Sequence, residues 1–360
     1  MMMHVLLLLF LVLTEIFFYF LAYKSEQRKR KHKVIIMGLI IFLFAALRAT
    51  DVGIDVPGYV QNYISLRYET YEDILVIKSD RDPVFSIFSK FLGSIIPDPQ
   101  FLLVVVGAIV AFAFSYLVYH QKGDVLTLFV LFIGFRLYAF TLTGLRQAIA
   151  LAFCWIAFVM LQKKKTVAFI VLTLIASLFH ASAVVFLITW PVYRYGKPLV
   201  VFLICSVFTV VDLLLNHALI SSMATLVSGD RFDSYIDADQ ITSYSGGGTF
   251  YLYILFFVFI ILAKNLTPGR LEDAVTFDKI FNVACIAMMV SIMCQNLPVF
   301  FRIAYYFMLP FYALLSPSVR SFFSKKDSIF IHAIIIVLMC LQYIVLKPGA
   351  GINEYHFFWR

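Results

Sequence analysis

A few polar residues stand where an apolar chain has least reason to place them. "RATDVGIDVPGYVQNY" (48–63) follows a hydrophobic run ending at Leu47 and brings together Arg48, Asp51, Asp55, Tyr59 and Tyr63. "GLRQAIA" (144–150) sets Arg146 and Gln147 at the start of a run otherwise without charge. His180 lies in "SLFHASAV", Arg231 in "SGDRFDSYIDADQ" (228–240), and Arg302 precedes Tyr305 in "FFRIAYYF" (300–307). Arginine presents a rigid fork of donors that matches phosphate and carboxylate, and it keeps its charge when partly desolvated. Ionisable groups inside spans are costly and are functional candidates by default. Several arginines around one cavity would suit a pyrophosphate head group. His180 or Asp51 could accept a proton there, and Asp55 or Tyr59 could orient a sugar.

Each residue also has a plainer reading. A single arginine at a helix end often serves as a snorkelling anchor, and Arg136 fits that description best. His180 could be a structural histidine bonded to a neighbouring helix. Asp51 and Asp55 are four apart, which would share one helix face, yet Gly53 and Pro57 argue for a solvated turn. Tyr59, Tyr63, Tyr235, Tyr305 and Tyr306 suit either an interfacial aromatic belt or stacking against sugar rings.

The elements that must position these groups are apolar helices. The chain has 360 residues, 62% hydrophobic and 14% charged, against about 25% charged in soluble domains. Runs of roughly 20 apolar residues recur, as spanning helices require. The fold class is therefore all-α, a single polytopic membrane domain over 1–360. The net charge of +8 sits in short loops between apolar runs and reports orientation, which argues against nucleic acid as a partner. Cys154, Cys205, Cys285, Cys294 and Cys340 all lie inside apolar runs and form no CxxC pair, so they read as small buried hydrophobes. No metal site or cofactor motif appears. Residues 3–23 lack a basic leader and a cleavage site and read as a retained first span.

"KSEQRKRKHK" (24–33), "QKKK" (162–165), "KNLTPGR" (264–270) and "SKK" (324–326) should face the cytoplasm. The stretch 48–99 is then the first outer loop, with "PVFSIFSKFLGSIIP" (83–97) too short to cross and better suited to an interfacial or re-entrant helix. A second outer loop covers 228–248. Strict alternation satisfies the basic loops if the short run 216–228 also crosses, which gives about twelve spans with both termini outside.

"LRATDVGIDVPGYVQNY", "GLRQAIALAFCWIAFVMLQKKKTVAFIVLTLIASLFHASAVVFL" (144–187), "RFDSYI" (231–236) and "FFRIAYYF" together resemble EpsG-like, Wzy-type exopolysaccharide polymerases. The resemblance implies a GT-C-like layout in the bacterial cytoplasmic membrane. It implies transfer of a glycan from undecaprenyl pyrophosphate to the non-reducing end of another lipid-linked repeat unit, at the outer face and without metal or cofactor. Arg48, Arg146 and Arg302 would hold pyrophosphate, Arg231 and Gln147 would assist, and a chain-length regulator and a flippase of the same route would be partners. The rivals are a lipid-linked oligosaccharide flippase or other transporter, a GT-C-like transferase or ligase with another acceptor, and a membrane O-acyltransferase. Alternating access favours repeat-related halves, and no repeat is visible.

Overall fold

The computed structural model describes residues 2–77, 83–219, 222, 247–294, 298–346, 352 and 354–359. These are almost wholly helical. Among them five helices are long and apolar enough to cross a membrane, six if the bent pair 125–143 counts as one span. The chain divides into two compact units, Met1–Val184 with Ile335–Arg360, and Val185–Ile334.

In the first unit, α1 (Met2–Phe20) packs on α2 (Glu26–Ala46). Helix α2 begins inside the basic segment, at Glu26, well before the apolar run that ends at Leu47. Lys33 pairs with Glu15 at 2.5 Å, so a cation near the membrane is neutralised within the helix pair. Helix α3 (Val56–Ser65) and α4 (Tyr71–Ile77) precede α5 (Pro83–Ile95), which is the short apolar helix expected near 83–97. Helix α6 (Gln100–His120) crosses close to α2, because a Cβ on Gly38 would stand 2.2 Å from Ser115 Oγ. Arg30 donates to the Val118, Gln121 and Gly123 carbonyls at 2.6–2.7 Å. A cation on the last carbonyls of α6 satisfies groups that the helix leaves bare and complements its dipole.

Helices α7 (Val125–Gly134) and α8 (Leu137–Thr143) meet at 58°. The bend falls on Arg136, whose φ is +62°. The apolar stretch 125–143 is thus broken at its one charged residue. Helix α9 (Leu145–Gln162) is the most enclosed span, with Trp155 against Phe114 and Phe132. Helix α10 (Thr166–Phe179) runs beside it and stops at His180. The apolar stretch from 166 onward is α10, a 3₁₀ helix Ala181–Ile188 and α11 (Thr189–Tyr195).

The second unit holds α12 (Pro198–Leu214), α13 (Gly247–Leu266), α14 (Ala274–Met293), α15 (Pro298–Phe322) and the start of α16 (Lys325–Leu346). Asn282 Nδ2, in the first half of α14, donates to the Gly196 carbonyl just before α12 at 2.8 Å, and the two helices pack along each other, so they run side by side in the same direction. Lys279 lies over the Tyr193 ring, Lys264 pairs with Asp278, and Arg320 stands 3.9 Å from Glu272. One end of this unit therefore gathers Lys197, Lys264, Lys279 and Arg320. The C-terminus of α12 and the N-terminus of α15 lie at the other. Helix α12 leaves the basic end, so the turn at 215–219 lies away from it; most of the run 216–228 lies outside the described residues. Outward faces are apolar, as on α12 with Leu199, Leu203, Val207 and Val210 exposed. A hydrocarbon surrounding accounts for such faces.

Candidate functional site

The loop after α2 is set by backbone bonds before any side chain acts. Ala49 N–H donates to the His356 carbonyl and Phe358 N–H to the Leu47 carbonyl, both at 3.0 Å. A short C-terminal strand thus straps the Arg48 segment. Arg48 itself is 1% exposed. Its guanidinium donates to the Ala45 carbonyl and, at 2.9 Å, to the Leu142 carbonyl. Burial pushes its pKa down to about 10, which still leaves it charged at neutral pH. Arg48 thereby ties α2 to the end of α8, with its donors turned to backbone rather than offered outward.

Gly53 follows at φ +116°, where a Cβ would stand 2.7 Å from Val56 Cγ2 and 3.2 Å from the Leu142 carbonyl. A side chain there would be strained as well as crowded. Helix α3 begins at Val56, so Asp51 and Asp55 lie on its approach and the solvated-turn geometry is the one adopted. Asp51 is exposed, and one of its oxygens lies 3.1 Å from His356 Nε2. Asp55 takes the N-cap position, and its N–H donates to Thr143 Oγ1 at 3.2 Å.

That approach aims Tyr59. Its hydroxyl accepts from Arg146 Nε at 3.4 Å, and the guanidinium carbon lies 5.8 Å from the ring centre. A guanidinium held by a phenol and a ring face keeps its charge while its fork stays oriented. Arg146 opens α9 after Gly144 and is half-buried, with Gln147 buried beside it. From Tyr59 a line of rings continues: Phe85 at 5.3 Å, then Phe88 at 6.4 Å, then Phe179 at 5.9 Å. Phe179 stacks on Phe153 at 5.8 Å. His180 comes next, half-buried, in extended backbone where α10 stops. The structure thus brings Arg146 and Tyr59 to one end of an aromatic row, with Asp55 one helical turn before Tyr59 and His180 next in sequence to Phe179.

Tyr63 is not on this row. It is fully buried and donates to the Ile96 carbonyl at 2.7 Å, pinning α3 to the end of α5. In the second unit Arg302 is exposed near the start of α15, and Tyr305 is half-buried against Phe301. Arg231 and Tyr235 lie outside the described residues.

Sequence reasoning missed two features. One is the strap Tyr355–Phe357, whose partners lie some 300 residues earlier in the chain. The other is Asp212, fully buried, with His217 Nδ1 at 3.0 Å from its carboxylate. The signal for the second was available, since Asp212 is the only charge in α12 and charge within a span is a flag in itself. Among the described residues no group of three or more His, Cys, Asp or Glu could hold a metal ion.

No curated protein and no solved structure matches this chain. A family model does, over residues 31–357, and its span takes in the Arg48 loop, the Arg146–Tyr59 contact, His180 and the strap. The chain is a membrane protein of the EpsG family.

Proposed function

We propose that the protein is a polysaccharide polymerase. It transfers a glycan from undecaprenyl pyrophosphate to the non-reducing end of a second lipid-linked repeat unit, at the outer face of the bacterial cytoplasmic membrane. The observation that carries this reading is Arg146, a guanidinium held by Tyr59 at the mouth of an aromatic row, in a chain of the EpsG family. Rings suit sugar faces, and the oriented fork suits a pyrophosphate oxygen pair. The orientation rule supports the side: the basic end of each unit faces the cytoplasm, which turns Arg146 and Arg302 outward.

A polymerase handles two pyrophosphate-bearing lipids, one leaving and one retained, and each unit offers its own guanidinium. His180, Asp51 and Asp55 are the groups of the first unit able to move a proton or bind sugar hydroxyls, and Arg231 assists in the outer loop. Arg48 acts by holding the loop rather than by touching substrate. No nucleotide sugar is needed, because the anomeric carbon arrives activated by its pyrophosphate.

The test is reconstitution of the purified protein in liposomes with an undecaprenyl-pyrophosphate-linked repeat unit native to its source. The expected product is a ladder of polymer, lost in Arg146→Lys. Repeat units that cross the bilayer without joining would instead establish the flippase reading.

A further inference from the structure

The C-terminus of α12 is built in a costly way. Asp212 is fully buried, and a buried carboxylate is tolerated only when paired and hydrogen-bonded. Its partner comes from a turn in which two consecutive residues, Asn216 and His217, take left-handed backbone at φ +50° and +64°. Asparagine and histidine both enter that region more readily than most side chains, yet two such residues in succession still hold the backbone in a sparsely populated well. The turn is closed by His217 N–H donating to the Asp212 carbonyl at 2.8 Å. Its result is to set Nδ1 at 3.0 Å from Asp212 Oδ2. A glycine and an apolar residue would end this helix at lower cost. Strain held by a specific geometry is a mark of function, argued from the outlier itself.

The geometry also fixes the proton. A carboxylate only accepts, so Nδ1 carries the hydrogen and Nε2 carries the lone pair. The imidazole is 22% exposed, while its aspartate is sealed behind it. Arg302 belongs to the same end of this unit, away from Lys197, Lys264, Lys279 and Arg320.

We propose that His217, oriented by Asp212, is the proton acceptor for the attacking sugar hydroxyl. This rests on the polymerase reading and names its base. The hydroxyl oxygen forms the new bond to the anomeric carbon of the donor. The bond from that carbon to the pyrophosphate oxygen breaks, and its electron pair leaves with the pyrophosphate, whose charge Arg302 offsets. The hydroxyl proton passes to Nε2, and the Asp212 carboxylate stabilises the imidazolium until the proton is released to water. Asp212 is a positioning residue, and His217 is the catalytic one.

The test uses the full chain in liposomes with the native lipid-linked repeat unit. His217→Asn suits left-handed backbone and still donates to Asp212, so it folds, but it cannot take a proton. Its turnover should fall about 10²–10⁴-fold with KM for the repeat unit unchanged. His217→Gly suits the same backbone and leaves room for imidazole, which added to the buffer should restore part of the rate. Asp212→Asn should lower kcat, with KM again unchanged, while size exclusion shows a monodisperse protein. A monodisperse His217→Asn that turns over like wild type, or a His217→Gly that imidazole does not rescue, overturns the proposal. Wild-type protein that forms no ladder overturns the polymerase reading, and this inference falls with it.

Discussion

Arg48 and Arg146 show how far residue type predicts role. Both were conspicuous in the sequence because a guanidinium at a span's end is costly, and both are half-buried or deeper. What differs is their partners. Arg48 bonds a carbonyl 94 residues away, a relation that no local pattern encodes. Arg146 meets a tyrosine side chain and keeps its fork oriented. Substitution should separate them. Arg48→Lys leaves buried carbonyls short of donors, each worth about 1–3 kcal/mol, so its thermal midpoint in detergent should drop with activity following stability. Arg146→Lys should unfold at the wild-type temperature yet lose polymer at least tenfold, because a point charge replaces the fork. Equal losses of stability in the two variants would remove the distinction.

At the scale of elements, hydropathy marked the apolar runs well and their interruptions poorly. Backbone geometry breaks the runs at Arg136 and His180, and a single polar residue within twenty apolar ones barely moves a hydropathy sum. The start of α2 was hidden for the opposite reason, since its first turns are basic and their arginine caps a neighbouring helix. Close approach also leaves only a faint trace in sequence. Gly196 lies where a Cβ would stand 2.4 Å from the Val192 carbonyl and 2.8 Å from Asn282 Nδ2. Gly196→Ala should therefore push Asn282 off its two carbonyls and cost about 1–3 kcal/mol, read as a lower thermal midpoint. An unchanged midpoint would mean that α12 and α14 do not meet as described. The strap carries a similar prediction: removing residues 352–360 should expose the Arg48 loop to protease while α9 stays protected.

For the whole molecule, charge distribution was legible and chain path was not. The basic loops stand out as clusters in the sequence, whereas alternation treats each apolar run as one crossing and so cannot register the breaks at Arg136 and His180. The side-by-side course of α12 and α14 puts Lys197 and the start of α13 at opposite ends of the second unit. In a cysteine-free background, a cysteine at position 197 should react with a membrane-impermeant maleimide only after permeabilisation, and one at position 251 should react in intact cells. Labelling of position 197 in intact cells would restore the simple alternation. The central claim is transfer between two lipid-linked glycans, and stoichiometry tests it most directly. Liposomes holding the protein and a native lipid-linked repeat unit, with no nucleotide sugar, should release one undecaprenyl pyrophosphate for every new glycosidic bond. Bond formation without that release, or dependence on an added sugar donor, would contradict the account.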